Sequence, residues 1–299
     1  MTHLIIFCAV LFFQDGIPSR FEQPQRLIAI GDVHGDLDAT KRALRLAGAI
    51  DSEDRWIGGE LVVVQTGDQL DRGDDEQAIM DLFELLIIQA KEAGGAFHVL
   101  NGNHELMNAR LDLRYVTPGG FKDFEDALEV DLNATELESY EPQKRARVAA
   151  FRPGGVYAQK LARRNTVVVV GDTVFAHGGV LPKHVDYGLE RMNSEIRAWL
   201  RGELDSYEPV HQRDSPTWVR DFSRDTDRDD CRRLDEMLTK LNVKRLVVGH
   251  TVQKEGITSA CDQKVWRIDV GMSRHYGGTV QVLEINPTGV RILKEGESP

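Results

Sequence analysis

Cysteine is rare in this sequence. Cys8, Cys231 and Cys261 are the only three in 299 residues, and they are too few and too scattered for a disulfide framework or a cysteine-based zinc module. We therefore expect them to be incidental. Cys231 and Cys261 could pair in an exported protein, although the sequence alone does not test the geometry of that bond.

Basic stretches are also missing. The formal net charge is −11, and acidic residues are spread along the chain with lysine and arginine between them. Because a protein that binds the phosphate backbone needs a basic stripe, we exclude nucleic acid as a partner. The sequence also contains no G-x-S-x-G, P-loop or G-x-G-x-x-G motif, which excludes the serine-hydrolase elbow and the common nucleotide-binding loops.

No apolar run is long enough to span a bilayer. The longest, Leu4 to Phe13, has ten residues, which suffices for the core of a signal peptide but not for a transmembrane helix. Only His3 precedes it in place of a basic region, and no clear cleavage motif follows before Arg20. Two interpretations stay open: a signal peptide on a periplasmic or secreted protein, or a hydrophobic extension of a cytoplasmic one. We expect residues 1–25 to be this segment plus a linker, and residues 26–299 to form one domain.

Five apolar runs end in polar residues of metal-binding type. The runs are RLIAIGDVHGD, LVVVQTGDQLDRG, FHVLNGNHE, VVVVGDTVFAHGG and RLVVGHT. A run of Val, Ile and Leu bounded by Gly is typical of a buried strand, and residues just past the carboxyl end of a strand lie where α/β sheets bind ligands. We expect these runs to bring six candidate ligands into one crevice: Asp32, His34, Asp68, Asn103, His177 and His250.

Helical patterns alternate with the first strands, which indicates an α/β fold. DLDATKRALRLAGAI and residues 74–93 both have apolar positions at helical spacing, and this gives a β-α-β-α-β order with right-handed crossovers. Residues 110–164 are polar and weakly periodic, and we interpret them as a helical insertion over the crevice. We expect a further helix around residues 190–200, and the turn INPTGV predicts a final β-hairpin.

The candidate ligands suit two divalent cations. Asp68 can give one carboxylate oxygen to each ion, and Asp32 and His34 are two residues apart in one turn, so that both can bind the first ion. Oxygen and imidazole donors without thiolate suit Mn²⁺, Fe or Zn²⁺. The second ion would be completed by the three remaining ligands, Asn103, His177 and His250.

Three further residues suit phosphoryl transfer. His104 could protonate the leaving oxygen, and Asp71 would orient its imidazole and raise its pKa. Arg72 offers a planar fork that matches two phosphate oxygens. In-line attack by a hydroxide that bridges the two ions would need no covalent intermediate. Each of these residues alone is more often structural, so the joint pattern carries the prediction.

The motifs GDVHGD, GDQLDRG, GNHE, HGG and GH resemble those of the phosphoprotein phosphatases, a branch of the calcineurin-like metallophosphoesterases. Segments outside them, such as RLAGAID, FRPGG, HGGVLPKHVDYGLERMN and VWRIDVGMS, are similar to the Shewanella-like protein phosphatases. This resemblance implies a four-layer α/β/β/α sandwich, two metal ions with Mn²⁺ as the first choice, and the ligand and acid roles given above. It also implies that Arg72, Asn103 and Arg220 bind the phosphate, with Arg224 as the competitor for Arg220.

The resemblance implies a metal-dependent phosphoprotein phosphatase that hydrolyses phosphate monoesters of tyrosine, serine or threonine. A symmetrical dinucleoside tetraphosphate hydrolase shares the metal motifs, but the sequence after GNHE weighs against it. The acidic balance disfavours a DNA-cleaving relative. A degenerate binding protein on the same fold would have lost Asp68, His104 or Arg72, and all three are present. The His-Cys-x5-Arg loop of the cysteine-dependent tyrosine phosphatases is absent.

Overall fold

Two β-sheets flanked by helices form the part of the chain that the computed structural model describes, which is residues 16–126, 132, 134–207, 209 and 212–297. The apolar stretch Leu4 to Phe13 lies outside the described residues. The strands are β1 (Arg20–Phe21), β2 (Leu27–Ile30), β3 (Val62–Gln65), β4 (Ala96–Val99), β5 (Val167–Val170), β6 (Thr173–Ala176), β7 (Arg245–Val248), β8 (Thr258–Ala260), β9 (Val265–Arg267), β10 (Gln281–Asn286) and β11 (Gly289–Lys294). The helices are α1 (Leu37–Leu46), α2 (Glu76–Glu92), α3 (Asn103–Ala109), α4 (Pro118–Lys122), α5 (Pro142–Phe151), α6 (Val156–Leu161), α7 (Pro182–Tyr187), α8 (Leu189–Leu200) and α9 (Arg228–Leu241).

The first sheet has the strand order β11-β10-β2-β3-β4. Strands β2, β3 and β4 run parallel, with Leu27 opposite Val62 and Val62 opposite Ala96, and α1 and α2 connect them. The Asp36 side chain caps α1 by accepting a hydrogen bond from the backbone N of Ala39 (2.9 Å). The predicted β-α-β-α-β order is confirmed, and β10 and β11 form the predicted antiparallel hairpin.

The second sheet has the strand order β1-β5-β6-β7-β9-β8, and β6, β7 and β9 run parallel. The sequence VVVVGDTVFA, which our sequence analysis treats as one apolar run, forms two antiparallel strands, β5 and β6. Gly171 lies between them with φ +57°, a left-handed conformation that glycine adopts without strain. Strand β1 pairs with β5, so Arg20–Phe21 belong to the sheet and not to the expected linker.

The two sheets pack face to face, and helices cover their outer faces. Phe175 and Val247 of the second sheet share one buried cluster with Val63 of the first sheet and Ile79 of α2. A second cluster joins the outer face of the second sheet to α8 and α9, where Leu234 is fully buried. The layers follow the order helix, sheet, sheet, helix, as predicted.

Residues 110–164 contain helices α4, α5 and α6 and a 3₁₀ turn at Thr135–Leu137. Helix α5 packs against α3, and α6 packs against α8, so this segment lies against both halves of the sandwich. Within the described part of the chain, no helix is long and apolar enough to cross a membrane.

Cys231 of α9 and Cys261 of the turn between β8 and β9 form a disulfide, with their Cα atoms 5.4 Å apart. The expectation that these two cysteines are incidental was therefore wrong. The two residues are 30 positions apart in the sequence, and only the packing of α9 beside the β8–β9 turn brings them together. Spacing along the chain carries no signal for such a contact.

Candidate active site

Turns that follow five strands form the candidate active site. Strands β2, β3 and β4 are parallel neighbours in the first sheet, and β6 and β7 are parallel neighbours in the second. Because the carboxyl ends of parallel strands lie at the same edge of a sheet, their turns converge. The structure brings together all six predicted ligands, each of them buried: Asp32, His34, Asp68, Asn103, His177 and His250.

The carboxylate of Asp68 lies at the centre of this cluster. Its Oδ2 atom is 3.1 Å from Nε2 of His177 and 3.7 Å from Nε2 of His34. Its Oδ1 atom accepts a hydrogen bond from the backbone N of His104 (3.0 Å), which fixes the orientation of the carboxylate. One carboxylate oxygen therefore faces imidazole groups from both sheets, as a ligand shared by two ions would.

Hydrogen bonds orient the imidazoles around Asp68. Nδ1 of His34 donates to the carbonyl oxygen of Leu70 (3.0 Å), and Nδ1 of His177 donates to that of Thr66 (3.0 Å). In both rings Nε2 is left as the atom that can bind a cation. His250 presents Nδ1 instead, 3.1 Å from Nε2 of His177.

Asp32 and Asn103 complete the donor set. Oδ2 of Asp32 is 3.9 Å from Nε2 of His34 and accepts a hydrogen bond from the backbone N of His250 (3.1 Å). Oδ1 of Asn103 is 2.9 Å from Nε2 of His177. The ligand atoms form two groups, each within 4.8 Å, that meet at Asp68: His34, Asp68 and His104, and Asp68, His177 and His250.

The electrostatics of the cluster suit cations. Burial raises the pKa of Asp32, and the neighbouring carboxylates of Asp269 and Asp68 raise it further. Burial lowers the pKa of His34 to about 4 and also lowers that of His250, so both imidazoles are neutral near pH 7. Neutral imidazoles are the form that binds metal, and crowded carboxylates need positive charge beside them. This donor set therefore fits two divalent cations.

His104 and Asp71 form a hydrogen-bonded pair beside the cluster. Nδ1 of His104 lies 2.5 Å from Oδ2 of Asp71, and both side chains are buried. Nε2 of His104 points the other way and is 3.7 Å from Oδ2 of Asp68. The ring thus presents Nε2 to the space beside the predicted ligands while Asp71 holds its far side.

The surroundings of His104 favour its protonated form. Burial lowers its pKa, but the charge of Asp68 and then the hydrogen bond and charge of Asp71 raise it more, to about 9. Divalent cations close by would lower this pKa again. His104 lies in one of the two candidate ligand groups, but a protonated imidazole has no lone pair to give to a metal. The arrangement suits an acid rather than a ligand.

Arg72 lies at the rim of the site. Its guanidinium stacks over the ring of Tyr115 with the central carbon 4.1 Å from the ring centroid, and its backbone N donates to the carbonyl oxygen of Tyr115 (3.2 Å). Nε of Arg72 is buried without a hydrogen-bond partner among the described residues. A buried donor without a partner is costly, and a phosphate oxygen would satisfy it.

The structure favours Arg220 over Arg224 as the second candidate phosphate-binding arginine. Arg220 is half-buried, and its Nη1 donates to the carbonyl oxygen of His250 (3.1 Å) and to Oγ1 of Thr251 (2.8 Å). Its pKa is lowered by burial and by the charge of Arg224, and raised in part by Asp68 and other site carboxylates. Arg224 is exposed. Arg220 is therefore the arginine that contacts the site.

Sequence reasoning missed Glu105, which ties two ligand-bearing turns together. Its fully buried carboxylate accepts hydrogen bonds from the backbone N atoms of four residues: Asp68 (2.8 Å), Gln69 (2.8 Å), Leu70 (3.1 Å) and Gly102 (2.7 Å). These bonds join the turn after β3 to the turn after β4. The glutamate of the GNHE motif was the available signal, because a carboxylate three residues into a helix start often accepts backbone N–H groups.

Asp269, Asn108 and Arg147 were also missed. Asp269 is buried beside Asp32, and burial raises its pKa to about 6. Nδ2 of Asn108 donates to Oδ1 of Asp71 (3.0 Å), and Arg147 reaches the same oxygen from α5. Asn108 and Arg147 follow no strand, and Arg147 lies in a weakly periodic segment, so no sequence pattern pointed to them.

The backbone of the site is held in conformations that are unfavourable for most residues. His34, Asp68, Asp71, Arg72 and His250 have φ between +42° and +72°. Non-glycine residues adopt this left-handed region at a cost, and such residues cluster at functional sites. The turns also touch closely: a Cβ on Gly249 would lie 2.3 Å from Oδ1 of Asp32, so only glycine fits there.

Comparison with known proteins assigns the chain to a family. A model of the calcineurin-like phosphoesterases matches residues 25–254. Shewanella-like protein phosphatase 2 of Arabidopsis thaliana is 42% identical, over 93% of this chain and 79% of the relative. The chain belongs to the Shewanella-like protein phosphatases of the calcineurin-like phosphoesterase family.

Other relatives of this Shewanella-like phosphatase support the same family assignment. Shewanella-like protein phosphatase 1 of Plasmodium berghei is 31% identical, over 83% of this chain and 67% of the relative. The crystal structure of a cold-active protein-tyrosine phosphatase from a psychrophilic Shewanella species has 26% identity and a TM-score of 0.74, and the match covers 93% of this chain and 82% of the other. The predicted family, four-layer fold and protein phosphatase activity are therefore confirmed, and the chain is a phosphoric monoester hydrolase. Membership of the family also implies divalent metal ions.

Proposed function

We propose that this phosphatase holds two divalent cations, with Mn²⁺ as the expected metal, and that it prefers phosphotyrosyl proteins. Asp32, His34 and Asp68 would hold one cation, and Asp68 would share the other with the remaining ligands, Asn103, His177 and His250. When bound, such cations polarise the phosphate and supply a water of lowered pKa as nucleophile. The observation that carries the metal assignment is the Asp68 carboxylate, whose Oδ2 lies within 3.7 Å of imidazole nitrogens from both sheets.

The remaining residues divide the chemistry between binding and proton transfer. Arg72 and Arg220 bind phosphate oxygens from the rim, and Asn103 binds phosphate from inside the site. Nε2 of His104 donates its proton to the ester oxygen as the P–O bond breaks, so that the leaving group departs as a neutral alcohol or phenol. Asp71 keeps Nδ1 of His104 hydrogen-bonded and holds the ring in place. No covalent intermediate forms on the protein.

Aromatic side chains around the site support the preference for phosphotyrosine. The rings of Tyr276, Tyr115 and Trp218 lie 5.4, 5.2 and 5.6 Å from the imidazoles of His34, His104 and His250, respectively. The benzene ring of a phosphotyrosine would pack against such walls, whereas the short side chain of phosphoserine would leave them in water. The similar Shewanella structure is that of a protein-tyrosine phosphatase, which supports the same assignment.

The test is a comparison of kcat/KM for three substrates: a phosphotyrosyl peptide, the same peptide with phosphoserine, and a dinucleoside tetraphosphate. We expect the phosphotyrosyl peptide to react fastest, and Tyr276→Ala to reduce its advantage over phosphoserine by about tenfold, which corresponds to the loss of one aromatic contact of ~1.4 kcal/mol. Equal rates on both peptides would contradict the tyrosine preference, and faster dinucleotide hydrolysis would overturn the substrate class.

Tyr187→Ala is a matched control for Tyr276→Ala. Tyr187 is 41% exposed and Tyr276 is 40% exposed, so the two substitutions remove similar surface aromatic groups. Tyr187 lies on α7 and donates to Glu195 (2.5 Å) rather than facing a candidate ligand. We expect the peptide preference to be unchanged in Tyr187→Ala. A similar loss in both variants would mean that the effect does not come from the wall of the site.

A further inference from the structure

Helix α5 carries a fully buried arginine that reaches the candidate acid pair. Arg147 is 0% exposed, and its guanidinium carbon lies 5.1 Å from the ring centroids of both Phe124 and Phe151. A buried cation is costly unless its charge is balanced and its donors are paired. The partners of Arg147 therefore indicate why the chain retains it.

Four groups receive the hydrogen bonds of Arg147. Nε donates to Oδ1 of Asn108 (2.8 Å), and Nη1 donates to the carbonyl oxygen of Gly120 (2.8 Å). Nη1 and Nη2 form a fork with the carboxylate of Glu76, in which the second bond is 3.0 Å long. Nη2 also donates to Oδ1 of Asp71 (3.3 Å).

Asp71 is thereby held on both oxygens. Its Oδ2 bonds to Nδ1 of His104, while its Oδ1 accepts from Nη2 of Arg147 and Nδ2 of Asn108. The backbone N of Asp71 donates to Oε1 of Glu76, so the glutamate holds both Asp71 and Arg147. The hydrogen bonds that hold Asp71 against His104 therefore lead to Arg147, either directly or through Glu76 and Asn108.

Arg147 is paired with two buried acidic side chains. Asp71 and Glu76 both contact its guanidinium, and Asp71 also bonds Nδ1 of His104. Burial raises the pKa of Asp71, but the hydrogen bond and charge of His104 and the charge of Arg147 outweigh it, so the net pKa is lowered. Asp71 therefore stays ionised and accepts the hydrogen bond from Nδ1 of His104.

We propose that Arg147 is a positioning residue for leaving-group protonation: with Glu76 it clamps Asp71, and Asp71 holds His104 with Nε2 toward the ester oxygen. The inference rests on the acid role proposed for His104. The proposal also links helix α5 (residues 142–151) to catalysis, because Arg147 on this helix contacts the acid pair. The clamp does not touch the substrate.

The dependence of kcat/KM on the leaving group distinguishes a positioning role of Arg147 from a general effect on folding. An ester with a good leaving group, such as 2,4-dinitrophenyl phosphate, needs no proton as its P–O bond breaks, whereas phenyl phosphate does. Arg147→Lys keeps the buried positive charge but cannot form the planar fork. We expect kcat/KM of the Mn²⁺-loaded variant to fall about 10- to 100-fold for phenyl phosphate and far less for the dinitrophenyl ester. An equal loss on both esters, or no loss, would overturn the proposal.

A second measurement does not depend on turnover. In protein labelled with ¹⁵N-histidine and loaded with Zn²⁺, which is diamagnetic and leaves the signal sharp, the low-field ring N–H resonance of His104 reports its bond to Asp71. We expect Arg147→Lys to shift or broaden this resonance while the metal content stays at the wild-type level. An unchanged resonance would show that His104 is held without Arg147.

Two further variants keep the outcome interpretable. Arg197→Lys alters another buried arginine, 2% exposed on α8, which donates to Oδ1 of Asn165. We expect it to leave the leaving-group dependence unchanged. If Arg147→Lys does not fold, the charge-balanced double variant Glu76→Gln with Arg147→Met replaces it, with the same expected pattern.

Measuring His104→Asn in parallel tests the acid role of His104 separately from the positioning role of Arg147. If it discriminates strongly between the two esters and Arg147→Lys does not, only the clamp is wrong. If neither variant discriminates, the acid role itself fails.

Discussion

His104 shows how far single residues could be predicted. Its place directly after Asn103 and the DRG motif around Asp71 were enough to predict an acid pair, and the structure places Nδ1 of His104 2.5 Å from Oδ2 of Asp71. The supporting residues were not predictable in this way. Glu105 and Arg147 act through contacts between distant segments, and such contacts leave no spacing pattern in the sequence.

We expect His104→Asn to lower kcat by about 10² to 10⁴, because the variant removes the proton donor to the leaving oxygen. Asparagine keeps a polar N–H group near Asp71 and changes none of the six proposed ligands, so both metals should stay bound. Steady-state kinetics with a phosphotyrosyl peptide, together with elemental analysis of the same preparation, measure both properties. Unchanged turnover would remove His104 from the acid role, and loss of metal would indicate that it is a ligand.

Secondary-structure elements were predictable where apolar periodicity was strong. The parallel unit from β2 to β4 follows from its apolar runs and glycine boundaries, and α2 (Glu76–Glu92) lies within the predicted residues 74–93. The β5–β6 hairpin was missed although the sequence carried a signal for it: only two residues, Gly171 and Asp172, separate the two strands, and Gly-Asp is typical of a hairpin turn. The disulfide between α9 and the β8–β9 turn was missed because it depends on how elements pack.

Glu284, near the middle of β10, allows the stability contribution of contacts between strands to be tested. Glu284 is nearly buried and pairs with Arg26 (2.6 Å) before β2 and with Arg291 (2.8 Å) on β11. Burial raises its pKa, but the two arginines outweigh burial, so the net pKa is lowered. A lowered carboxyl pKa stabilises the folded state above the unfolded pKa of about 4.3, and this contribution is lost as the pH falls through the folded pKa.

We therefore expect Glu284→Gln to lower the free energy of unfolding by about 1 kcal/mol near pH 7, since both arginines are partly exposed and water screens the pairs. The difference from wild type should shrink as the pH falls below about 4.3 and through the lowered folded-state pKa of Glu284. Urea unfolding at several pH values measures it. Glu297→Gln, at a 65% exposed side chain, is the control and should change little. A difference that grows as the pH falls would contradict this account.

At the scale of the whole molecule, the four-layer order and the convergence of the ligands follow from one feature that the sequence displays, namely ligand residues at strand ends. Both sheets bring carboxyl ends to the same edge, so turns separated by more than 200 residues, such as those carrying Asp32 and His250, meet in one site. The sequence predicted that residues 110–164 form a helical insertion over the crevice. It did not predict the contacts of this segment, because the segment has weak periodicity and its packing depends on α3, α8 and the Arg147 contacts.

Metal stoichiometry tests the central claim that two cations share Asp68. Elemental analysis of protein purified with Mn²⁺ and then passed through a desalting column should give two ions per chain for the wild type, and fewer for Asp68→Asn, because an amide is a weaker ligand for both ions. Asp38→Asn, at a 68% exposed side chain on α1, should retain both. Two retained ions in Asp68→Asn, or none in the wild type, would contradict the account.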